Sequence, residues 1–415
     1  MKKIVFIAAA AAAMSSLHAV PRVDLNAVTF SQASNRKVTV QYMLTGEPGI
    51  VTFDIETNYV ENAETKWASI GAEHLSHAVG DVYRMIQASG SETRTFHWIA
   101  RKAWPDMTVA AGGIRAVVRA WATNAPPEYC VLDLTGVSTP RYYTHEAQLP
   151  DGISSEIYRT ERLVLRRIPA AGVEFTKGQA SSSSDCKPYR VSLSEDFYIG
   201  VFELTQGHYY NIVKSDPANQ IHTGEDRYLY PCKIGYDTMR GGNGWPESGH
   251  ADITSDSVCG KLFTLSGMVF DLPTSAQWEY ACRAGAGTLY YYGSDASILG
   301  DYAWYVDNSD GHAHQVGLKL PNAWGLYDMM GNQHEMVLDF RCNRPDLLGQ
   351  SLDPVGPATG SDEAATRNNT RLLRGGAYNV AADSATCAGG KGQTVLGYPA
   401  NTCGGRVCAP AIAVQ

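Results

Sequence analysis

The segment Pro321–Glu335, PNAWGLYDMMGNQHE, carries the most chemistry in the fewest residues. Two glycines supply turns, and bulky apolar side chains supply anchors. Asp328 and Glu335 form a carboxylate pair with hard oxygen donors at its two ends. Taken alone, it is a loop able to hold a hard cation. About forty residues earlier stands DLPTSAQWEYACRAG (Asp271 to Gly285), and about forty later RLLRGGAY (Arg371 to Tyr378). Three punctuated blocks in this order are far more specific than any one of them.

The nine cysteines are Cys130, Cys186, Cys232, Cys259, Cys282, Cys342, Cys387, Cys403 and Cys408. None forms a Cys-x-x-Cys pair, which excludes zinc-ribbon and thioredoxin chemistry. Residues 1–19 read as a bacterial Sec-type signal peptide. Lys2 and Lys3 precede the apolar run Ile4 to Ala13, and Leu17-His18-Ala19 offers a small residue for cleavage. That run is too short to span a bilayer, and no other stretch is long and apolar enough. The mature chain is therefore expected to be exported, to periplasm, cell surface or medium, with disulfides as the default state of its cysteines. The formal net charge of −8 comes with no basic patch, so nucleic acid is excluded as partner.

Positioning these blocks requires two regions of different grammar. Residues 20–145 alternate apolar and polar over short runs at 37–43, 50–55, 93–99 and 114–121, separated by Gly, Pro and Asn turns. Period-two alternation predicts an antiparallel β-sandwich of immunoglobulin or fibronectin type. His74 and His77 find no third ligand at a usable spacing, so they read as structural. A linker follows at 146–160, and a loop-rich second domain at 161–412, giving a mixed α+β chain. Thr205 caps one helix with Tyr209, Ile212 and Val213 on its apolar face. Thr274 and Gln277 form a capping box for another, which turns Trp278, Ala281 and Cys282 to the core. Arg374, with five donors, is expected to tie loop carbonyls or a carboxylate together.

In order along the chain stand LRRIPAAGVEFTKG, FYIGVFELTQGHYYNIV, LPTSAQWEYACRAG, NAWGLYDMMGNQHE, RLLRGGAY and GGRVCAP. From about Leu163 to Pro410 this resembles the formylglycine-generating enzyme family, the sulfatase-modifying factor domains. The resemblance implies a C-type-lectin-like fold and a copper-dependent oxidase that converts a sulfatase cysteine to formylglycine. It also implies two copper-binding cysteines after the RGG element, but those positions are Val380 and Ala385 here. Cys387 is two residues late. It either takes the second catalytic position after a short insertion, or is a structural cysteine paired with Cys282. The family's other disulfide maps to Cys259 and Cys408. Under either alignment the two-thiolate site is incomplete, so copper is not expected.

The family's calcium site maps to Asp328, the carbonyls of Gly331 and Gln333, and Glu335, and calcium is the cofactor so expected. A related sulfoxide synthase takes iron through a His-x3-His-x-Glu motif that this sequence lacks. Three readings follow in order. The first is a non-catalytic binding or structural module for a protein, peptide or glycan. The second is a working oxidase that uses Cys387 and a non-local thiol. The third is another enzyme on the same scaffold. Expression in a host with Sec export should give a mature chain starting at Val20; amino-terminal sequencing that returns Met1 contradicts the signal-peptide reading.

Overall fold

The computed structural model describes residues 20–413, apart from 89, 110–111, 180–186, 219–221, 242–249, 343–350, 357–365 and 393–401. The signal-peptide expectation, the loop Ser181 to Ser184 and Cys186 therefore lie outside the described residues. The chain is mostly antiparallel sheet with short helices. No described helix is long and apolar enough to cross a membrane.

The first part holds two antiparallel sheets. One is built on strands Lys37–Thr45 and Thr93–Ile99, the other on Gly49–Glu61 and Ile114–Trp121. The strand Lys37–Thr45 buries Val38, Val40, Tyr42 and Leu44, so the period-two pattern became one buried face. Phe53 and Phe96 meet across the two sheets at 4.8 Å between ring centroids, and Phe53 also meets Tyr83 at 5.5 Å. His74 is held by protein contacts. Its Nδ1 sits 3.0 Å from the Ala103 carbonyl, and its own carbonyl accepts from Trp98 Nε1.

The expected boundary at 145 falls inside a sheet. Strands Tyr129–Asp133 and Arg141–Tyr143 pair with each other, and the first continues onto Arg162–Ile168. Phe197–Gly200 and Cys408–Pro410 complete this five-stranded antiparallel sheet. The short apolar run Tyr129-Cys130-Val131-Leu132 is buried as a sheet interior demands. The seam between the two parts is bonded: Tyr142 N donates to the Tyr83 carbonyl at 2.7 Å, and the rings of Tyr83 and Tyr143 lie 4.7 Å apart.

A second sheet of the carboxy-terminal part runs Gly390–Gly392, Thr366–Arg374, His334–Cys342, Cys403–Gly405. It includes one parallel pair, His334–Cys342 with Cys403–Gly405. Both expected helices form. Ser275–Arg283 starts at the Thr274–Gln277 capping box and buries Trp278, Ala281 and Cys282. A third helix, Val258–Ser266, was not foreseen; Ser257 caps it and left-handed Gly267 ends it.

Gln206–Val213 also has a capping box, closed by His208. The His208 imidazole accepts from Thr205 N through Nδ1 at 3.4 Å. Its Nε2 lies 3.2 Å from the carbonyls of both Tyr158 and Arg162. One neutral tautomer, protonated at Nε2, satisfies all three contacts. Complete burial pushes its pKa down to about 4, against a partial rise from the two carbonyl bonds. A histidine with a depressed pKa stabilises the fold fully above its unfolded value of about 6.5. That stability is lost as pH falls from there toward 4. The His208→Gln variant keeps a capping-box residue and removes the titration. Urea unfolding between pH 7 and 4 should show that it loses roughly 3 kcal/mol less than the wild type over this range; parallel profiles contradict the assignment.

Candidate functional site

The blocks singled out by sequence converge between the helix Ser275–Arg283 and the strand His334–Cys342. Trp278 projects from the helix, and its Nε1 donates to Glu335 Oε2 at 2.8 Å. Arg406 reaches the same carboxylate: Nη2 lies 2.8 Å from Oε1, and Nε 3.1 and 3.2 Å from the two oxygens. Its remaining donors go to the carbonyls of Gly200 (2.7 Å), Val201 (2.8 Å) and Tyr327 (2.7 Å). The guanidinium thus ties four segments with every N–H engaged, all of it buried.

The turns that bring these segments together require glycine. Gly331 has φ 79°, and a Cβ there would stand 2.2 Å from the Trp304 carbonyl oxygen. Its amide donates to the Gly375 carbonyl of the RGG element at 2.8 Å. Arg374, as expected, ties the neighbourhood. It pairs with Glu279 of the capped helix and donates to the carbonyls of Ala388 (3.1 Å) and Cys387 (3.4 Å).

Two further carboxylates are buried beside Glu335. Asp328 Oδ2 accepts from Gly317 N at 2.7 Å. Glu203 accepts from Asn332 Nδ2 at 2.7 Å and Gln333 N at 3.0 Å. Three carboxylates thus share one guanidinium. Burial, then the neighbouring carboxylates, pushes Glu203 well above the usual carboxylate range. Burial pushes Asp328 up to about 6, against the Gly317 hydrogen bond and the Arg406 charge. The excess negative charge is therefore relieved by proton uptake.

The calcium expectation placed Asp328, Gly331, Gln333 and Glu335 around one ion. Both Glu335 oxygens already receive Arg406 and Trp278, and one Asp328 oxygen receives Gly317. Among the described residues no group of three or more His, Cys, Asp or Glu side chains is arranged to hold a metal. As arranged, these residues do not fit a calcium ion, and Arg406 supplies the positive charge instead. Nothing in the sequence pattern pairs Arg406 with Glu335; the signal was the buried-carboxylate problem itself, which demands a partner somewhere.

The sulfur groups are equally specific. Cys282 and Cys387 are free and fully buried, their thiols within hydrogen-bonding reach of each other. Burial and that neighbour hold the Cys282 pKa well above the ordinary thiol value. Cys259 and Cys408 are also free and buried; burial and then Asp271 raise the proton affinity of both, and Cys408 lies close enough to raise that of Cys259 further. The two pairs named by resemblance are thus brought together, as thiols. Val380 and Ala385, at the copper-ligand positions, carry no donor; the Val380 carbonyl accepts from Val306 N at 3.0 Å.

Over this core lies a surface of aromatic loops. Trp304 stacks on His314 at 3.8 Å and holds the Lys319 ammonium 3.7 Å from its ring centroid. Tyr292 stacks on both Tyr290 (5.1 Å) and Tyr302 (4.1 Å). Tyr290 and Tyr291 are both buried, the tight turn at Gly293 turning consecutive rings inward. Val306 (50 % exposed), Leu318 (54 %) and Leu320 (52 %) project from the same loops.

At pH 7 a strained, ionised Asp328 is relieved by an amide of the same shape. Asp328→Asn is expected to melt at or above the wild-type temperature, and a chelator to leave both melts unchanged. A variant that melts several degrees lower, together with a chelator-sensitive wild type, returns calcium to this site.

Residues 167–410 match the model of the sulfatase-modifying factor enzyme 1-like domain. The formylglycine-generating enzyme of Streptomyces coelicolor is 34 % identical over 119 residues, 26 % of this chain and 35 % of that protein. The enzyme of Mus musculus is 30 % identical over 119 residues, 26 % of this chain and 30 % of that protein. The match thus spans about a third of the length of these relatives. Among solved structures, Treponema denticola variable protein 1 aligns with a TM-score of 0.48 and 25 % identity, covering 60 % of this chain and 95 % of that one. With more than half of its residues inside the matched domain, the chain belongs to the sulfatase-modifying factor enzyme 1-like family.

Proposed function

We propose that this chain is an exported, non-catalytic binding module. Its carboxy-terminal, C-type-lectin-like part offers the aromatic loop surface around Trp304, Val306, Leu318 and Leu320 to a protein, peptide or glycan ligand. Its amino-terminal sheets, read as an immunoglobulin-like sandwich, hold that part in place. The observation that carries the reading is the identity of the two positions after the RGG element. Val380 and Ala385 cannot donate a thiolate, and copper chemistry needs soft ligands there.

The second reading draws on Cys387 and a non-local thiol, and the neighbouring Cys282 thiol is what supports it. Two adjacent thiols form a possible ligand pair for Cu(I). Their burial argues against it. A substrate cysteine must join the metal, and neither sulfur has exposed surface. Burial also disfavours the Cys282 thiolate that would have to bind metal. In an oxidising compartment the same adjacency favours a structural disulfide, and Cys259 with Cys408 a second one.

Thiol titration of the exported protein, native and in denaturant, separates these readings. Peptide mapping is expected to find Cys282 joined to Cys387 and Cys259 to Cys408, and supplying Cu(I) with a Cys-x-Pro-x-Arg peptide should draw no oxygen consumption above buffer. Copper-dependent oxygen uptake with that peptide, abolished by Cys387→Ser, establishes the oxidase instead.

A further inference from the structure

A cavity of about 470 Å³ opens at the seam between the two parts of the chain. The amino-terminal sheets contribute Tyr83, and the five-stranded sheet and its turns contribute Thr135, Thr139, Arg141, Tyr143 and Arg162. Its volume lies in the range of small-molecule sites, and its exposed lining is mainly polar.

Two guanidiniums dominate it, and neither is well matched. Arg141 is half-buried, and among the described residues its one side-chain hydrogen bond is Nη1 to the Val82 carbonyl at 3.1 Å. Among the described residues no carboxylate lies within ion-pair distance of it. Its charged neighbour Arg84 repels it, and burial lowers its pKa further. The nearby Asp81 is taken by Arg84 at 2.5 Å. Arg162 has Asp151 as its ion-pair partner at 3.9 Å, both partly exposed, and its guanidinium lies over the Tyr158 ring, 5.9 Å from the centroid. Both arginines act on the buried Tyr143 phenol, opposing the burial that leaves its pKa up at about 12, so the two charges bear on one region. Asp133 also lines the cavity, but its Oδ1 accepts from both Thr135 N (2.9 Å) and Thr135 Oγ1 (2.6 Å).

Such a site lacks an anion. A half-buried arginine with most of its donors unused is costly unless something accepts from it. The planar guanidinium fork suits tetrahedral and planar oxyanions. A bare ion needs far less than this volume, and the Thr135 to Thr139 turn adds hydroxyl and backbone groups suited to a polar organic portion. We propose that this cleft binds a sulfate or phosphate group, carried on a small polar molecule, between Arg141 and Arg162. Because Arg141 also bonds Val82 of the amino-terminal sheets, the ligand would brace the seam between the two parts.

Equilibrium dialysis of the full chain with labelled inorganic sulfate and phosphate is the direct test, at ionic strength fixed with chloride. Glucose 6-sulfate and glucose 6-phosphate are added as competitors. Saturable binding near one ion per chain is expected. It should weaken at least about tenfold in Arg162→Gln, whose folding is checked by circular dichroism, and equally in Arg141→Gln. Esters that displace the ion at lower concentration than the ion itself identify an organic ligand; equal potency identifies the oxyanion alone, and both outcomes uphold the site. Absence of saturable binding by any probe, or undiminished binding in a folded Arg162→Gln, overturns it. Wild-type dialysis decides even if the Arg141 variant does not fold.

Discussion

The buried ion pair between Glu335 and Arg406 constrains everything near it. A carboxylate with almost no exposed surface is tolerable only with a matched partner. Arg406 provides two contacts to it and fixes the carbonyls of Gly200, Val201 and Tyr327 with its other donors. One side chain thereby aligns the five-stranded sheet, the Tyr327 loop and the strand that carries Glu335. Trp278 completes the carboxylate's partners, and so locks the angle of the capped helix. The neighbouring Glu203 and Asp328 are buried beside it, and burial first, then the adjacent carboxylates, raises their proton affinities.

This arrangement separates scaffold from chemistry. The glycine turns, the Trp278 contact, the Arg374 tie to Glu279 and the Arg406 clasp are all packing and charge-matching devices. None requires a reactive sulfur. The segment that runs from Gly376 to Ala388 is tied to the core by Cys387 N, which donates to the Leu289 carbonyl, and by Arg374, which donates to the Ala388 carbonyl, and neither bond uses a side chain at 380 or 385. A family fold can therefore be held together by contacts that involve no thiolate, and fold membership alone does not settle activity.

Much of the fold was legible because local signals carried it. Thr274 with Gln277 announced a helix start, and Cys282 eight residues after the cap fell on the buried face. Alternation at 37–43 and 93–99 gave paired strands. Strands Tyr129–Asp133 and Arg141–Tyr143 escaped notice because each is short and flanked by Pro and Gly; the first is buried on both faces and the second is a three-residue edge strand, so neither shows period-two alternation. Helix Val258–Ser266 was missed because its sequence, VCGKLFTLS, opens with β-branched and glycine residues; its Ser257 cap and Gly267 stop were the available signal. The site was legible in part. Asp328 and Glu335 were recognised as acids that need a cation, but the partner lies 71 residues beyond Glu335 in another strand connection. No local spacing rule reaches that far. Glu203, separated by about 130 positions from Gln333, was invisible for the same reason.

A double-mutant cycle on Glu335 and Arg406 tests most directly whether a guanidinium holds this centre. Glu335→Gln, Arg406→Leu and the double variant would be unfolded in urea, with and without chelator. If the ion pair is the clasp, each single change costs about 3–5 kcal/mol. The double change then costs far less than their sum, and chelator alters none of the values. Additive losses, or a wild type that only added calcium restores to full stability, contradict it.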